Sequence, residues 1–201
     1  MRLKVVLATR NRAKAEEYSL LFKDAPIELT TLAEQNVSTE IEETGHTIEE
    51  NARLKALGYA AASGLLVLAD DSGLEVDALG GEPGSLSARY AGENASDAER
   101  IALLLSRLEG VPWEKRSARF RCVIAVASGP ELLRVCQGEC EGIISLEPRG
   151  TSGFGYDPVF YVPELDRTMA ELSMEEKNRV SHRGRAACKA LEFLAHYASG
   201  E

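Results

Sequence analysis

Two adjacent aspartates, Asp70 and Asp71, are the residues of this chain best suited by type and position to do chemistry. They follow an apolar run at residues 65–69 that predicts a buried strand, and open α/β sheets bind ligands where such strands end. Neighbouring side chains of a strand point to opposite faces, so one carboxylate can act while the other braces the chain. The pair suits a hard cation such as Mg²⁺, although an Asx turn that ends the strand is an alternative interpretation.

The acidic cluster of Glu40, Glu42 and Glu43 is a second candidate for a cation site. Acidic residues ahead of a helix also occur as solvated side chains that stabilise the helix dipole. The local pattern leaves both interpretations open.

A polar loop between the first predicted strand and the first predicted helix is suited to hold a phosphate chain. It places a hydroxyl, an amide and three cations beside exposed helix N–H groups, in the order Thr9, Arg10, Asn11, Arg12, Ala13 and Lys14. An ordinary capping loop, with Asn11 as the N-cap, is the alternative.

A glycine-rich segment at residues 150–158 combines two aromatic rings with a carboxylate, in the run Phe154, Gly155, Tyr156 and Asp157. This mixture suits a flat heterocycle, because an aromatic ring stacks on it while a polar group reads its edge. A plain glycine-rich turn before a strand at residues 159–162 is the alternative.

A basic segment at residues 177–185 contains Lys177, His182 and Arg183 in an otherwise acidic chain. It suits an anionic substrate, although cations at a helix end also compensate the helix dipole. Taken together, the clusters predict a nucleoside triphosphate site with a carboxylate-bound Mg²⁺, cationic phosphate contacts and an aromatic base pocket.

The elements that position these clusters alternate between strand and helix early in the chain. Strands are predicted at residues 3–8, 27–32 and 65–69, and residues 70–93 are predicted to be irregular. Capping boxes that begin at Thr47, Ser96 and Ser173 predict three helix starts, and a last helix is predicted at residues 185–199. A late strand pair at 119–127 and 132–139 makes a mixed, twisted sheet flanked by helices the expected α/β architecture, in one domain spanning residues 1–201.

Composition narrows the class of protein further. The chain has 201 residues and a formal net charge of −9, which argues against a nucleic acid polymer or an anionic membrane as partner. Its apolar runs are too short for a membrane span or a signal peptide, so a cytoplasmic protein is expected.

The cysteines lack zinc or disulfide spacing, and Cys122 and Cys188 are expected to be buried. The motifs of P-loop, dinucleotide-binding and α/β-hydrolase proteins are absent.

In order and content, these motifs resemble the inosine triphosphate pyrophosphatase family. The matching segments are residues 8–14, 42–45, 50–52, 69–77, 83–84, 87–92, 153–158, 170–172, 176–178 and 181–184, together with Lys55. The resemblance implies two lobes with the nucleotide site in the cleft between them, and a homodimer. It also implies hydrolysis of dITP, ITP and XTP to the monophosphate and pyrophosphate by water attack at the α-phosphorus. One Mg²⁺ per subunit is expected, with Mn²⁺ as an alternative.

The resemblance also assigns roles to residues. Glu42 and Asp71 match the metal ligands, with Glu43 as the alternative because the acidic pair leaves the register ambiguous by one residue. Asp71 matches the proton acceptor, Asp70 its support and Lys55 a cation that neutralises phosphate charge. The substrate contacts correspond to Thr9, Asn11, Lys14, Ser72, the run 154–157, Lys177, His182 and Arg183. Arg10 departs from the glycine common in the phosphate loop.

Two other classes of function stay open at this point. A non-catalytic nucleotide-binding protein would keep the phosphate loop and the base pocket without needing the metal carboxylates. A metal-dependent phosphatase or pyrophosphatase acting on other nucleotides would use the same residues.

Overall fold

The structure is a computed structural model that describes residues 2–200. Its helices are α1 (Arg12–Leu21), α2 (Ile48–Ser63), α3 (Asp97–Arg107), α4 (Met174–Val180) and α5 (His182–Ser199). Its strands are β1 (Leu3–Leu7), β2 (Ile27–Thr31), β3 (Leu66–Val76), β4 (Pro83–Gly84), β5 (Ser117–Ser128), β6 (Glu131–Ile144), β7 (Phe160–Val162) and β8 (Arg167–Thr168). Among residues 2–200, no helix is long and apolar enough to cross a membrane.

The strands form a mixed sheet with the order β2-β1-β3-β5-β6-β7-β8, and β4 pairs with β3. β1 runs parallel to β2 and to β3, with Val6 opposite Val67. The pairs β3–β4, β6–β7 and β7–β8 are antiparallel. The mixed α/β sheet predicted from the sequence is confirmed.

The chain forms two compact units. The first unit contains residues 2–71, 122–138 and 183–200. Val5, Leu7, Leu66 and Leu68 share one buried cluster with residues of α1 and α5. The alternate strand residues, including Val6, Val67 and Ala69, share another cluster with residues of α2. The first unit is therefore a sheet with helices on both faces.

The second unit contains Ser72–Arg121 and Glu139–His182. Its core joins the apolar stripe of α3, at Ile101 and Leu104, to Leu74, Val76 and Phe160 of the strands. Arg116 is buried and donates hydrogen bonds to the carbonyl oxygens of Leu108, Val111 and Ser145. These bonds satisfy carbonyl groups at and beyond the C-terminal end of α3, where a cation also complements the helix dipole.

Most helix starts follow the sequence signals. Asn11, Thr47, Ser96 and Ser173 are N-caps, and each side-chain oxygen accepts a hydrogen bond from the backbone N–H three residues on. Gly64 ends α2 in the left-handed conformation that the absence of a Cβ permits, with a φ of 68°. The capping interpretation of Asn11 is therefore confirmed.

Three expectations were wrong. β3 does not end before Asp70 but continues to Val76, because Leu74 and Val76 are buried in the core of the second unit and Leu74 pairs with Gly84 of β4. α5 begins at His182 rather than at residue 185, so its first turn contains the basic segment. Cys188 is exposed, whereas Cys122 is buried as expected.

Candidate active site

The alternation of β3 determines where its two aspartates point. Leu66 and Leu68 belong to the buried cluster with α1 and α5, and Asp70 continues that row. Asp71 continues the row of Val67 and Ala69, which faces α2. The prediction that the two carboxylates lie on opposite faces of the sheet is confirmed by the two different clusters that their rows join.

The parallel neighbour of β3 ends before the aspartates. The last paired residue of β1 is Leu7, opposite Leu68, and the N–H of Ala8 still donates to the carbonyl oxygen of Leu68 at 2.8 Å. Asp70 and Asp71 thus lie just beyond the carboxyl end of β1. This is the edge at which open α/β sheets bind ligands, even though β3 itself continues.

Asp70 is buried among cations. Its Oδ2 lies 2.9 Å from Nζ of Lys14 and 3.7 Å from Nε of Arg183. Burial alone would raise the pKa of Asp70, but the charges of Lys14, Arg183 and Lys55 outweigh burial and lower it. Its Oδ1 has no hydrogen-bond partner among the described residues. Asp70 is therefore an anion with one carboxylate oxygen unused.

Asp71 has a different electrostatic environment. Its Oδ1 is 3.4 Å from Nζ of Lys55, whose other carboxylate contact is Oε1 of Glu43 at 3.0 Å. Burial raises the pKa of Asp71, and it does so despite the opposing charges of Lys55 and Lys14. The Oδ2 atom of Asp71 is buried without a hydrogen-bond partner in the part of the chain described. Such an atom is costly to bury and available to an external ligand.

Lys55 connects these acids from the face of α2. It is buried, which by itself lowers its pKa, but Asp71, Asp70 and Glu43 together raise it. Lys55 is therefore a cation beside two carboxylates with which it makes ion pairs.

Glu43 and Glu42 differ in position. Both are exposed, and Glu43 makes an ion pair with Lys55. The segment is held to α2 at Gly45, whose N–H donates to Oδ1 of Asn51 at 2.8 Å. A Cβ at position 45 would lie 2.7 Å from that oxygen, so the close approach requires glycine.

Side chains of the predicted phosphate loop, residues 9–14, make hydrogen bonds with main-chain groups of the loop and of a neighbouring segment. Oγ1 of Thr9 accepts from the N–H of Asn11 at 3.1 Å, and Oδ1 of Asn11 accepts from that of Lys14 at 3.1 Å. Arg10 donates to the carbonyl oxygens of Ser38 and Thr39, so its guanidinium fixes the segment that precedes the acidic cluster. The two other members of the loop are Arg12, which pairs with Glu16, and the partly buried Ala13.

Glu17 is a residue of the first unit that sequence reasoning did not select for the site. Glu17 and Arg183 are both almost fully buried, and Oε2 of Glu17 is 2.5 Å from Nη1 of Arg183. Glu17 continues the apolar stripe of α1, and a charged residue on such a stripe is a signal for a buried partner. Arg183 lies in the first turn of α5, where a cation does not complement the dipole of that helix, whereas Lys177 lies in the last turn of α4, where a cation does.

The glycine-rich segment of the second unit is shaped by Asp157. The buried carboxylate accepts hydrogen bonds at Oδ2 from the N–H of Phe154 at 2.9 Å and from Nζ of Lys177 at 2.5 Å. A Cβ at Gly153 would lie 2.1 Å from Oδ2 of Asp157, and its φ is 76°, so this position requires glycine. Nζ of Lys177 also lies 4.9 Å from the centroid of the Phe154 ring.

Other predicted site residues of the second unit lie in or beside its core. Tyr156 is buried, and its hydroxyl donates to the carbonyl oxygen of Ser87 at 2.9 Å. The ring of His182 stacks on Phe120, with centroids 4.7 Å apart and an angle of 13° between the planes. Ser72 is partly buried and follows Asp71 in β3.

The donor set for a metal is small. Among residues 2–200, no group of three or more His, Cys, Asp or Glu side chains is placed to hold a metal ion. Mg²⁺ nevertheless binds commonly through one or two carboxylates, with water and substrate phosphates completing its shell. The unpartnered Oδ2 of Asp71 is an oxygen of that kind.

Comparisons with known proteins agree with the fold and the sequence motifs. A dITP/XTP pyrophosphatase of Desulforamulus reducens is 53% identical over 192 residues, which cover 96% of this chain and 96% of that protein. The solved structure of a HAM1 protein from Coxiella burnetii is 48% identical, with a TM-score of 0.87 over 96% of this chain and 99% of that chain.

A crystal structure titled nucleoside-triphosphatase / dITP/XTP pyrophosphatase, from Mycobacterium abscessus, is 43% identical with a TM-score of 0.75. It covers 94% of this chain and 99% of that one. The model of the Ham1 family matches residues 5–193. On this match and these identities, the chain belongs to the Ham1 family.

Proposed function

We propose that this protein hydrolyses non-canonical purine nucleoside triphosphates, namely dITP, ITP and XTP, to the nucleoside monophosphate and pyrophosphate. Relatives that are about half identical over nearly the full chain are named dITP/XTP pyrophosphatases. The observation that carries the proposal is the buried Oδ2 of Asp71, which has no partner among the described residues and belongs to a carboxylate whose Oδ1 lies 3.4 Å from Nζ of Lys55. A polyanionic substrate with its cation matches that arrangement of charges.

Mg²⁺ is the proposed cofactor, one per subunit, with Mn²⁺ as an alternative. Asp71 and one acid of the 42–43 pair would hold it, and the contact of Glu43 with Lys55 favours Glu43 over Glu42. When bound, Mg²⁺ offsets the negative charge of the phosphates and polarises the phosphoryl group.

The remaining residues of the first unit then have distinct tasks. Asp71 accepts the proton of the water that attacks the α-phosphorus, since burial makes its carboxylate a stronger base than an exposed one. Lys14 and Lys55 stabilise the charge that develops on the leaving pyrophosphate. Asp70 orients Lys14 through their 2.9 Å contact. The hydroxyl of Thr9 and the helix start at Asn11 contribute phosphate contacts.

The second unit is proposed to recognise the base. Phe154 provides a ring for stacking, and the ammonium group of Lys177, which lies beside that ring and donates to Asp157, is a hydrogen-bond donor. A 6-oxo purine accepts such hydrogen bonds, whereas the 6-amino group of adenine leaves the donors unpaired. Discrimination through unpaired buried donors is large. His182 and Arg183 complete the proposed substrate contacts, with Arg183 acting from its buried pair with Glu17.

The test is a product analysis with the purified protein, dITP and Mg²⁺. We expect pyrophosphate and dIMP in equal amounts, and faster turnover of dITP and XTP than of dATP and dGTP. Release of inorganic phosphate without pyrophosphate would contradict the assigned reaction. Binding of dITP without any product would instead identify a nucleotide-binding protein.

A homodimer is part of the proposal and rests on the family resemblance, and the cytoplasm is its proposed compartment. Sedimentation of the purified protein at several concentrations tests the oligomeric state. A monomer at all concentrations would contradict it.

A further inference from the structure

Asp97, at the start of α3, makes a contact that its position in the helix does not require. Its Oδ2 accepts a hydrogen bond from the N–H of Gly155 at 2.6 Å. Its Oδ1 lies 2.5 Å from Nη2 of Arg100 on the next turn. An acid in a first helical turn stabilises the dipole without reaching further. Asp97 in addition holds a peptide group of the segment proposed to bind the base.

The same bond belongs to a larger network of the second unit. Arg100 donates through Nη1 to the carbonyl oxygen of Ala88 at 2.6 Å. The neighbouring Tyr156 donates its hydroxyl to the carbonyl oxygen of Ser87 at 2.9 Å. Two consecutive loop residues are therefore connected to one short turn, Ser87–Arg89.

That turn is itself fixed to the sheet. Oγ of Ser87 accepts a hydrogen bond from the N–H of Leu74 in β3 at 2.8 Å and donates to the carbonyl oxygen of Gly84 at 2.6 Å. The connection from Gly155 thus passes through Asp97, Arg100 and Ala88 to a strand of the core. These hydrogen bonds therefore connect the loop to strand β3.

Packing alone does not fix Gly155. It has a φ of 62°, and among residues 2–200, its two chain neighbours aside, no heavy atom lies within 4 Å of the place where a Cβ would be. Glycine loses the most conformational freedom on folding, so a specific bond is needed to hold its peptide in one orientation. Because a carboxylate makes a charge-assisted hydrogen bond, Asp97 supplies a strong one.

We propose that Asp97 is a positioning residue for recognition of the purine base. It fixes the peptide between Phe154 and Gly155, and with it the ring of Phe154 beside Lys177. This inference rests on the proposed function, since it assigns a determinant of base specificity at the same site.

The decisive experiment compares Asp97→Ala with two other variants of α3. Losing a hydrogen bond to a charged group predicts a rise of roughly tenfold in KM for dITP, with kcat changed by less than about threefold. Discrimination between dITP and dATP should fall as well, because it depends on the donors that meet the 6-oxo group. Asp97→Asn keeps an acceptor oxygen, so it should restore KM to within about threefold of the wild-type value.

Glu99→Ala is the matched control. Glu99 is an acid of the same turn that closes the capping box with Ser96, and it makes no contact with the loop in any hydrogen bond described. We expect Glu99→Ala to lower Tm while leaving KM unchanged. If Glu99→Ala and Asp97→Ala raise KM equally, the role of Asp97 is merely structural and the inference is wrong.

Hydrogen exchange gives a readout that does not depend on activity. The peptide that contains residues 153–157 should exchange faster in Asp97→Ala than in the wild-type protein, and not faster in Glu99→Ala. Should Asp97→Ala fail to fold, Arg100→Met keeps the test available, because it loosens Asp97 and should raise KM by a smaller factor. An unchanged KM beside normal wild-type turnover overturns this inference alone. A wild-type protein that releases no pyrophosphate overturns the proposed function as well.

Discussion

The aspartates of β3 and the glycine-rich segment around Asp157 both contain a buried lysine–aspartate pair, yet the pairs differ in what they leave unused. Asp157 accepts from Phe154 and from Lys177, so its carboxylate is occupied by its own chain. Asp70 and Asp71 each retain a buried oxygen with no partner among the described residues. The first arrangement is complete, and the second is suited to an external ligand.

The buried charges of Asp157 and Asp71 therefore have different proposed roles. At Asp157 the charge determines the shape of the main chain, and the group proposed to contact the base is the ring of Phe154 that it places. At Asp71 the carboxylate itself is the proposed functional group, and burial raises its pKa. Variants of the two aspartates should therefore fail in different ways.

Asp71→Asn should give the largest effect. Loss of a general base predicts a fall of roughly 10²–10⁴-fold in kcat. Because burial disfavours the charged form of Asp71, the neutral variant should be at least as stable as the wild-type protein. Steady-state turnover of dITP and thermal unfolding measure the two quantities. Near-wild-type kcat would place the proton acceptor elsewhere.

Asp157→Asn should have the opposite profile. Removing the charge leaves Lys177 buried with a weakened partner, and breaking a buried ion pair costs about 3 kcal/mol of unfolding free energy. We expect KM for dITP to rise with the distorted loop. Chemical denaturation measures the free energy of unfolding of the variant and of the wild-type protein. The double variant Asp157→Asn/Lys177→Met removes both charges and should recover part of the lost stability, and no recovery would argue against the ion pair as the cause.

Glu43→Gln and Glu42→Gln form a matched pair at adjacent positions of the first unit. The contact with Lys55 predicts that Glu43→Gln raises the Mg²⁺ concentration for half-maximal turnover by about tenfold, whereas Glu42→Gln changes it little. Magnesium titrations of both variants measure this. A larger effect of Glu42→Gln would assign the proposed metal contact to Glu42 instead of Glu43.

Glu176→Gln should give the smallest effect and concerns the helix that carries Lys177. Hydrogen bonds from Arg167 and from the N–H and hydroxyl of Ser173 lower the pKa of Glu176 to about 2, below its ordinary value of 4.5. A lowered pKa stabilises the folded state above pH 4.5, and this contribution is lost as the pH falls from 4.5 towards 2. The difference in Tm between the wild-type and variant proteins should therefore shrink over that window. A constant difference would contradict the assignment.

Local signals in the sequence were enough to predict where helices start and to predict that Asp70 and Asp71 of β3 point to opposite faces of the sheet. Ser96 and Ser173 cap helices where their spacing to Glu99 and Glu176 predicts, because capping depends on residues within one turn. The continuation of β3 to Val76 depends on burial of Leu74 in a core built from distant segments, which no local window contains. Tertiary packing therefore decided the end of this strand.

The same limit applied to the candidate site. Lys14 and Asp70 were both identified, but their contact was not, and the partner of Arg183 is Glu17, 166 positions away in the chain. Asp97 looked like part of an ordinary capping motif because its bond to Gly155 spans 58 positions. Residue type indicates the chemistry that is available, and long-range pairing decides which groups meet.

The uninterrupted course of β3 has a consequence for how such a site can change in evolution. Leu68 and Ala69 before the aspartates, and Leu74 after them, are fully buried, so the backbone that carries both carboxylates is expected to be among the slowest in the protein to exchange its amide hydrogens. The groups free to vary are those on loops, such as the segment at Gly155. Substrate preference can thus diverge among descendants of this chain through loop substitutions, while the carboxylates proposed for hydrolysis stay anchored in the sheet.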